Sequence, residues 1–174
     1  ATSYSDVNFF AAPPTMTGVS LSGSGTVGYS GNGAGIGTGN AIDSGEYLQI
    51  DFGTTQYPSG VSGVTIEIAA ASGLTNSGSA SGANRLTYTV YNTSGGTIGS
   101  FNWDGEGSIN VDTRLGFAAT NVGAIRITGV GTPSAYVASV QYASGLTGAV
   151  EFSNEPNASS GVILAGLAAT ATTS

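Results

Sequence analysis

Hydrophobic and polar residues alternate with a period of two along most of this chain, the spacing of strands that bury one face. Tyr47-Leu48-Gln49-Ile50-Asp51-Phe52 puts Leu48, Ile50 and Phe52 on one side and Gln49 and Asp51 on the other. Val64, Ile66 and Ile68 alternate with Thr65 and Glu67, and Leu86, Tyr88 and Val90 alternate with Thr87, Thr89 and Tyr91. Further strands are expected at 97–103, 108–111, 124–128 and 136–142, each bounded by Gly, Pro or Asn. Tyr91-Asn92-Thr93-Ser94-Gly95-Gly96-Thr97 predicts a hairpin connection, because Gly-Gly accepts the positive φ that tight turns require. Helical periodicity is missing outside the extreme C-terminus. Roughly eight to ten short, evenly spaced strands predict an all-β fold, a single jelly-roll-like β-sandwich.

Two kinds of segment break the pattern. Residues 22–40 are Gly/Ser-rich and read as a long surface loop, with an irregular Gly-rich strand as the alternative. Both ends carry apolar runs set off by proline: Val7, Phe9 and Phe10 precede Pro13-Pro14, while Glu155-Pro156 precedes a run containing Val162, Ile163, Leu164 and Leu167. An exposed apolar strand invites pairing, so each run is expected to be buried in this domain or a neighbour's, as a donor strand. The expected organisation is an N-terminal extension over 1–14, a sandwich over 15–152, and a linker with an apolar segment over 153–174. The C-terminal run is about half the ~20 residues that a membrane helix needs, so no membrane span is expected.

Composition sharpens this picture. Of 174 residues 40 % are hydrophobic but only 7 % charged, so Ser, Thr, Asn and Gly must supply the polar surface. The net charge is −7, and three scattered arginines cannot form the basic patch that nucleic acid requires. With no Cys there are neither disulfides nor thiolate metal sites, although the compartment is left open. The opening Ala1-Thr-Ser-Tyr, lacking Met and a basic leader, is what an exported mature chain would show.

Candidate chemistry is sparse. Without His, Cys or Lys, the usual triads, thiol nucleophiles, Schiff bases and imidazole metal sites cannot be built, which points away from an enzyme. Gly23-Ser-Gly25-Thr-Val-Gly28 matches a dinucleotide fingerprint formally but lacks a βαβ context, and Gly33–Gly39 lacks the Lys of a phosphate loop. Asp104 with Glu106 beside Trp103 is the pair a glycosidase would use, yet acids in a Gly-flanked turn are more often solvated. Calcium suits loop carboxylates better, because it accepts hard oxygen ligands without His; Asp43 with Glu46 form one candidate cluster, and Asp104, Glu106 and Asp112 a second. Asn92-Thr93-Ser94 and Asn157-Ala158-Ser159 are glycosylation sequons in expected loops.

The run Gly33-Ala-Gly-Ile-Gly-Thr-Gly-Asn-Ala-Ile-Asp43-Ser-Gly-Glu46-Tyr-Leu-Gln-Ile-Asp-Phe52, together with residues 86–99 and 124–129, resembles a family of exported bacterial jelly-roll-like β-sandwich domains that often carry a Pro-Glu-Pro sorting tail. The resemblance covers residues 31–142 and implies a sandwich fold and export; its motifs are patterns of strands rather than catalytic signatures. Glu155-Pro156 and the apolar run behind it resemble a shortened tail in which the first Pro and the closing basic cluster are missing.

These features predict a structural subunit of an extracellular, pilus-like filament or surface matrix, whose partners are copies of itself joined head to tail by strand exchange. The alternative is a carbohydrate-binding or adhesive module, calcium-stabilised, that presents Trp103, Tyr88, Tyr91 or Tyr136 to glycans.

Overall fold

The structure is a computed structural model and describes residues 19–37, 39–143 and 147–151. In chain order the strands are β1 (Ser20–Gly23), β2 (Val27–Ser30), β3 (Gly33–Ile36), β4 (Tyr47–Asp51), β5 (Ser62–Ser72), β6 (Arg85–Asn92), β7 (Thr97–Trp103) and β8 (Gly107–Asn110). One helical turn, α1 (Val111–Leu115), separates these from β9 (Val122–Val130), β10 (Ser134–Ala143) and β11 (Thr147–Glu151).

The strands pair antiparallel into two sheets, one ordered β1-β4-β9-β6-β7 and the other β2-β3-β10-β5-β8, with β11 beside β10. Strands β3 to β10 thereby form the two four-stranded halves of a jelly roll, β3-β10-β5-β8 over β4-β9-β6-β7, with β1 and β2 added at one side. The expected all-β sandwich is what this sequence forms.

The core lies between the sheets and is built from the faces that alternation marks as apolar. Leu48, Ile50, Phe52, Val64, Ile66, Ile68, Leu86, Tyr88 and Val90 are all buried, joined by Ile125, Ile127, Val137 and Val140 from β9 and β10. Fully burying one Ile or Leu side chain contributes about 1.5–3 kcal/mol, so the inward positions fix the register of each strand. The hairpin expected at 91–97 joins β6 to β7, with Gly95 at φ 87° and the Asn92 side chain accepting from the Ser94 and Gly96 N–H groups at 2.9 Å.

Three local expectations are corrected. Residues 22–40 are not a surface loop: β2 and β3 lie within them, and all four residues of β3 are buried. Gly28 and Gly35 face each other across β2 and β3, and Asn40 packs on both, so that a methyl at either position would collide with it. Dense glycine here serves close packing rather than looseness. The strand expected at 108–111 ends at Asn110, whose Oδ1 accepts the Thr113 N–H at 2.9 Å and starts α1 where no helical periodicity is visible. Finally, the strands number eleven among the described residues, because both Gly-rich pieces pair.

Candidate functional site

On the outer face of the five-stranded sheet, β4, β9 and β6 put Gln49, Arg126 and Thr89 in one row. Arg126 Nε donates to Gln49 Oε1 at 2.9 Å, and Gln49 Nε2 donates to Asp51 Oδ1 at 3.1 Å. The guanidinium carbon lies 4.0 Å from the centre of the Tyr47 ring and 5.9 Å from that of Tyr91, so it is stacked on one tyrosine and flanked by the other. Its other N–H groups have no partner among the described residues. Beside it opens a groove of about 440 Å³, lined by Gln49, Asp51, Tyr91, Asn92, Thr93 and Arg126. Gly53, Gly95 and Gly123 also line it, and Gly123 lies so close to the backbone of Asn92 and Thr93 that a side chain there would collide with it.

A second surface lies at the rim of the same sheet. β7 is an edge strand of seven residues, longer than the edge strands β1, β2 and β8, and Thr-Ile-Gly-Ser-Phe-Asn-Trp holds neither charge nor proline. Charges, prolines and bulges are the usual means by which edges avoid pairing with other chains; of these β7 has only a register irregularity at Ile98, between the pairs Val90–Gly99 and Tyr91–Thr97. Leu115, at the end of α1, and Phe117, just beyond it, lie against Gly99 of β7, and Phe117 is 49 % exposed, the only large hydrophobic so exposed among the described residues. Ile98 of β7 is half-buried and packs against the core.

The acids singled out in the sequence occupy different settings. Asp104 is fully buried: Oδ2 accepts from Ser77 N at 3.1 Å and Ser77 Oγ at 2.5 Å, and Oδ1 accepts from Ser79 N at 2.7 Å. Burial works against its charge, but the Ser77 hydroxyl and the N–H groups of Ser79, Ser77 and Gly78 outweigh it and hold the carboxyl below its ordinary value. Its oxygens are thus committed to clipping the 77–79 loop. Asp112 Oδ1 accepts the Ala119 N–H at 3.0 Å, while Glu106 donates its backbone N–H to Asn76 Oδ1 at 3.4 Å. Asp43 and Glu46 share a turn in which Glu46 Oε1 accepts the Asp43 N–H at 3.1 Å. Among the described residues no three His, Cys, Asp or Glu side chains gather into a metal-binding group, so Asp104, Glu106 and Asp112 are not brought together.

Asn92 stands at the tip of the β6–β7 hairpin and on the rim of the groove. The second sequon, Asn157, and the expected assembly positions Val7, Phe9, Phe10, Val162, Ile163, Leu164 and Leu167 lie outside the described residues. Among the aromatic candidates, Tyr88 is buried and stacked on Phe101 at 4.6 Å, Trp103 is covered by Arg114 at 3.9 Å, and Tyr136 donates to Gly39 O at 3.3 Å. Tyr91 alone of these four fronts the groove.

Arg126, Gln49 and Tyr47 were not singled out from the sequence. Their one signal is the position of Gln49 and Asp51 on the polar face of a strand; the register that sets Arg126 beside them is not written in any local pattern. Among the described residues no helix is long and apolar enough to cross a membrane. Compared with known proteins, the chain matches no family model, no curated sequence and no solved structure.

Proposed function

We propose that this chain is a structural subunit of an extracellular filament or surface matrix, in which an apolar terminal segment of one copy adds as a strand to the sheet of the next. The observation that carries this reading is the seven-residue edge of β7, uncharged and proline-free, beside the exposed ring of Phe117. Such an edge offers a row of backbone donors and acceptors, and the exposed ring of Phe117 offers an apolar contact to a side chain of an incoming strand. The segments around Val7–Phe10 and Val162–Leu167 are apolar enough to be that strand, and each is tethered through proline-containing sequence. A contact between unlike surfaces that does not close on itself propagates into a fibre. The jelly roll is also the fold implied by the resemblance to exported bacterial domains, which supports a place at the cell surface.

Negative-stain microscopy with size-exclusion chromatography at low and high concentration tests assembly. Filaments are expected for the intact chain, and of two separate deletions, 161–174 and 1–12, the one that leaves monomers identifies the donated end. Ser100→Lys, which places a charge on exposed Ser100 of β7, should also stop growth without unfolding the subunit. A persistent monomer, or assembly indifferent to both deletions, would overturn the reading.

A further inference from the structure

We infer that the groove beside Arg126 is a binding site for a neutral saccharide, a function separate from assembly and resting on different residues. Its geometry carries the inference. Arg126 is held in place before any ligand arrives, by its 2.9 Å bond to Gln49 and by stacking 4.0 Å from Tyr47, while its other N–H groups are left unpartnered among the described residues. A planar donor fixed in this way loses little freedom on binding. Asp51, which also lines the groove, presents the complementary acceptor: Gln49 bonds to its Oδ1 and leaves the carboxylate further acceptor capacity. Tyr91 supplies the apolar surface that the C–H face of a sugar ring packs on.

Local charge selects the class of ligand. Arg126 and Asp51 are the two charged side chains in the lining, and they cancel. An ionic ligand would leave one charge unmatched, and an acidic glycan would also meet a protein of net charge −7. Sugar hydroxyls both donate and accept, so neighbouring hydroxyls on one ring can satisfy the guanidinium and the carboxylate together. The groove, at about 440 Å³, falls within the usual size of small-ligand sites.

The test is calorimetric titration of the intact chain with neutral gluco-, manno- and galacto-oligosaccharides, a high-mannose glycopeptide and oligogalacturonate. The free oligosaccharides and the glycopeptide separate a polysaccharide source from a protein-borne glycan; binding in either arm supports the site. Arg126→Ala and Tyr91→Ala should each weaken binding about ten-fold or more, and Glu106→Gln, outside the groove, should leave it unchanged. In the wild-type chain the Arg126 Nε–H resonance should shift on titration, a readout that does not depend on how well the variants fold. No binding of neutral sugar, equal binding by both variants, or preference for oligogalacturonate would overturn the site. None of these outcomes depends on whether filaments form.

Discussion

The hydroxyls of Tyr57 and Tyr142, 85 residues apart in the chain, meet at 2.8 Å inside the sandwich. Their rings pack edge to face at 5.5 Å, and Phe52 meets Tyr142 in the same manner at 5.3 Å. The contact ties the loop behind β4 to the end of β10, and so joins the two sheets through a polar bond within an apolar core. Tyr57→Phe takes away the hydrogen-bonding partner of a buried hydroxyl and should cost about 1–2 kcal/mol in urea unfolding. Tyr57→Phe with Tyr142→Phe should cost less than the sum of the two single changes, since the double variant strands neither group.

Alkali should unfold this protein in a predictable window. Burial raises the phenols of Tyr57, Tyr88 and Tyr142 above the ordinary value of 10.0, and for Tyr142 the bond to Tyr57 adds to the rise. The folded state therefore keeps protons that the unfolded chain releases. The stability this gives is fully present below pH 10.0 and is lost as pH climbs toward the raised native values. Absorbance of tyrosinate should show these three rings ionising together with loss of structure, not before it.

Tyr88 offers a stabilising change. Its hydroxyl is buried without a hydrogen-bond partner while its ring stacks on Phe101. Tyr88→Phe keeps the stack and removes the stranded group, so thermal unfolding should shift upward by the equivalent of about 1 kcal/mol.

Asp104 makes the acid limb. Asp104→Asn cannot accept all the N–H and hydroxyl bonds from Ser77, Gly78 and Ser79, and should melt several degrees lower at neutral pH. Because the native carboxyl titrates below 3.8, its contribution is complete above pH 3.8 and disappears as pH falls through the depressed native value. The wild-type and Asn chains should thus converge in stability in strong acid.

Gly35→Ala should destabilise by about 1–3 kcal/mol, because the added methyl runs into the backbone of Asn40 and Ala41. Gly45→Ala is the comparison: space is open there, so any cost comes from its φ of 75° alone.

Legibility differed between the fold and its surfaces for physical reasons. Leu86, Tyr88 and Val90 could be placed inward from sequence because a strand forces alternate side chains to opposite faces and water rejects the apolar set. The same rule failed for Gly33–Ile36, where the residues are small and burial comes from what packs over them, so the run resembled a loop. Asp104 resembled a solvated turn residue because nothing nearby in the chain announces that Ser77 and Ser79, 27 and 25 residues earlier, wrap around it.

By itself the sequence determined that this chain is all-β, that alternate residues of β4, β5 and β6 form its core, and that a Gly-rich turn joins β6 to β7. Those properties follow from side-chain chemistry and the two-residue period of a strand, and both are local. Tertiary structure alone decided that β9 lies between β4 and β6, placing Arg126 among Gln49, Tyr47 and Tyr91, and that β7 is an edge beside Phe117. Pairing partners and registers depend on how whole faces fit together across the sandwich, and no stretch of neighbouring residues records that fit.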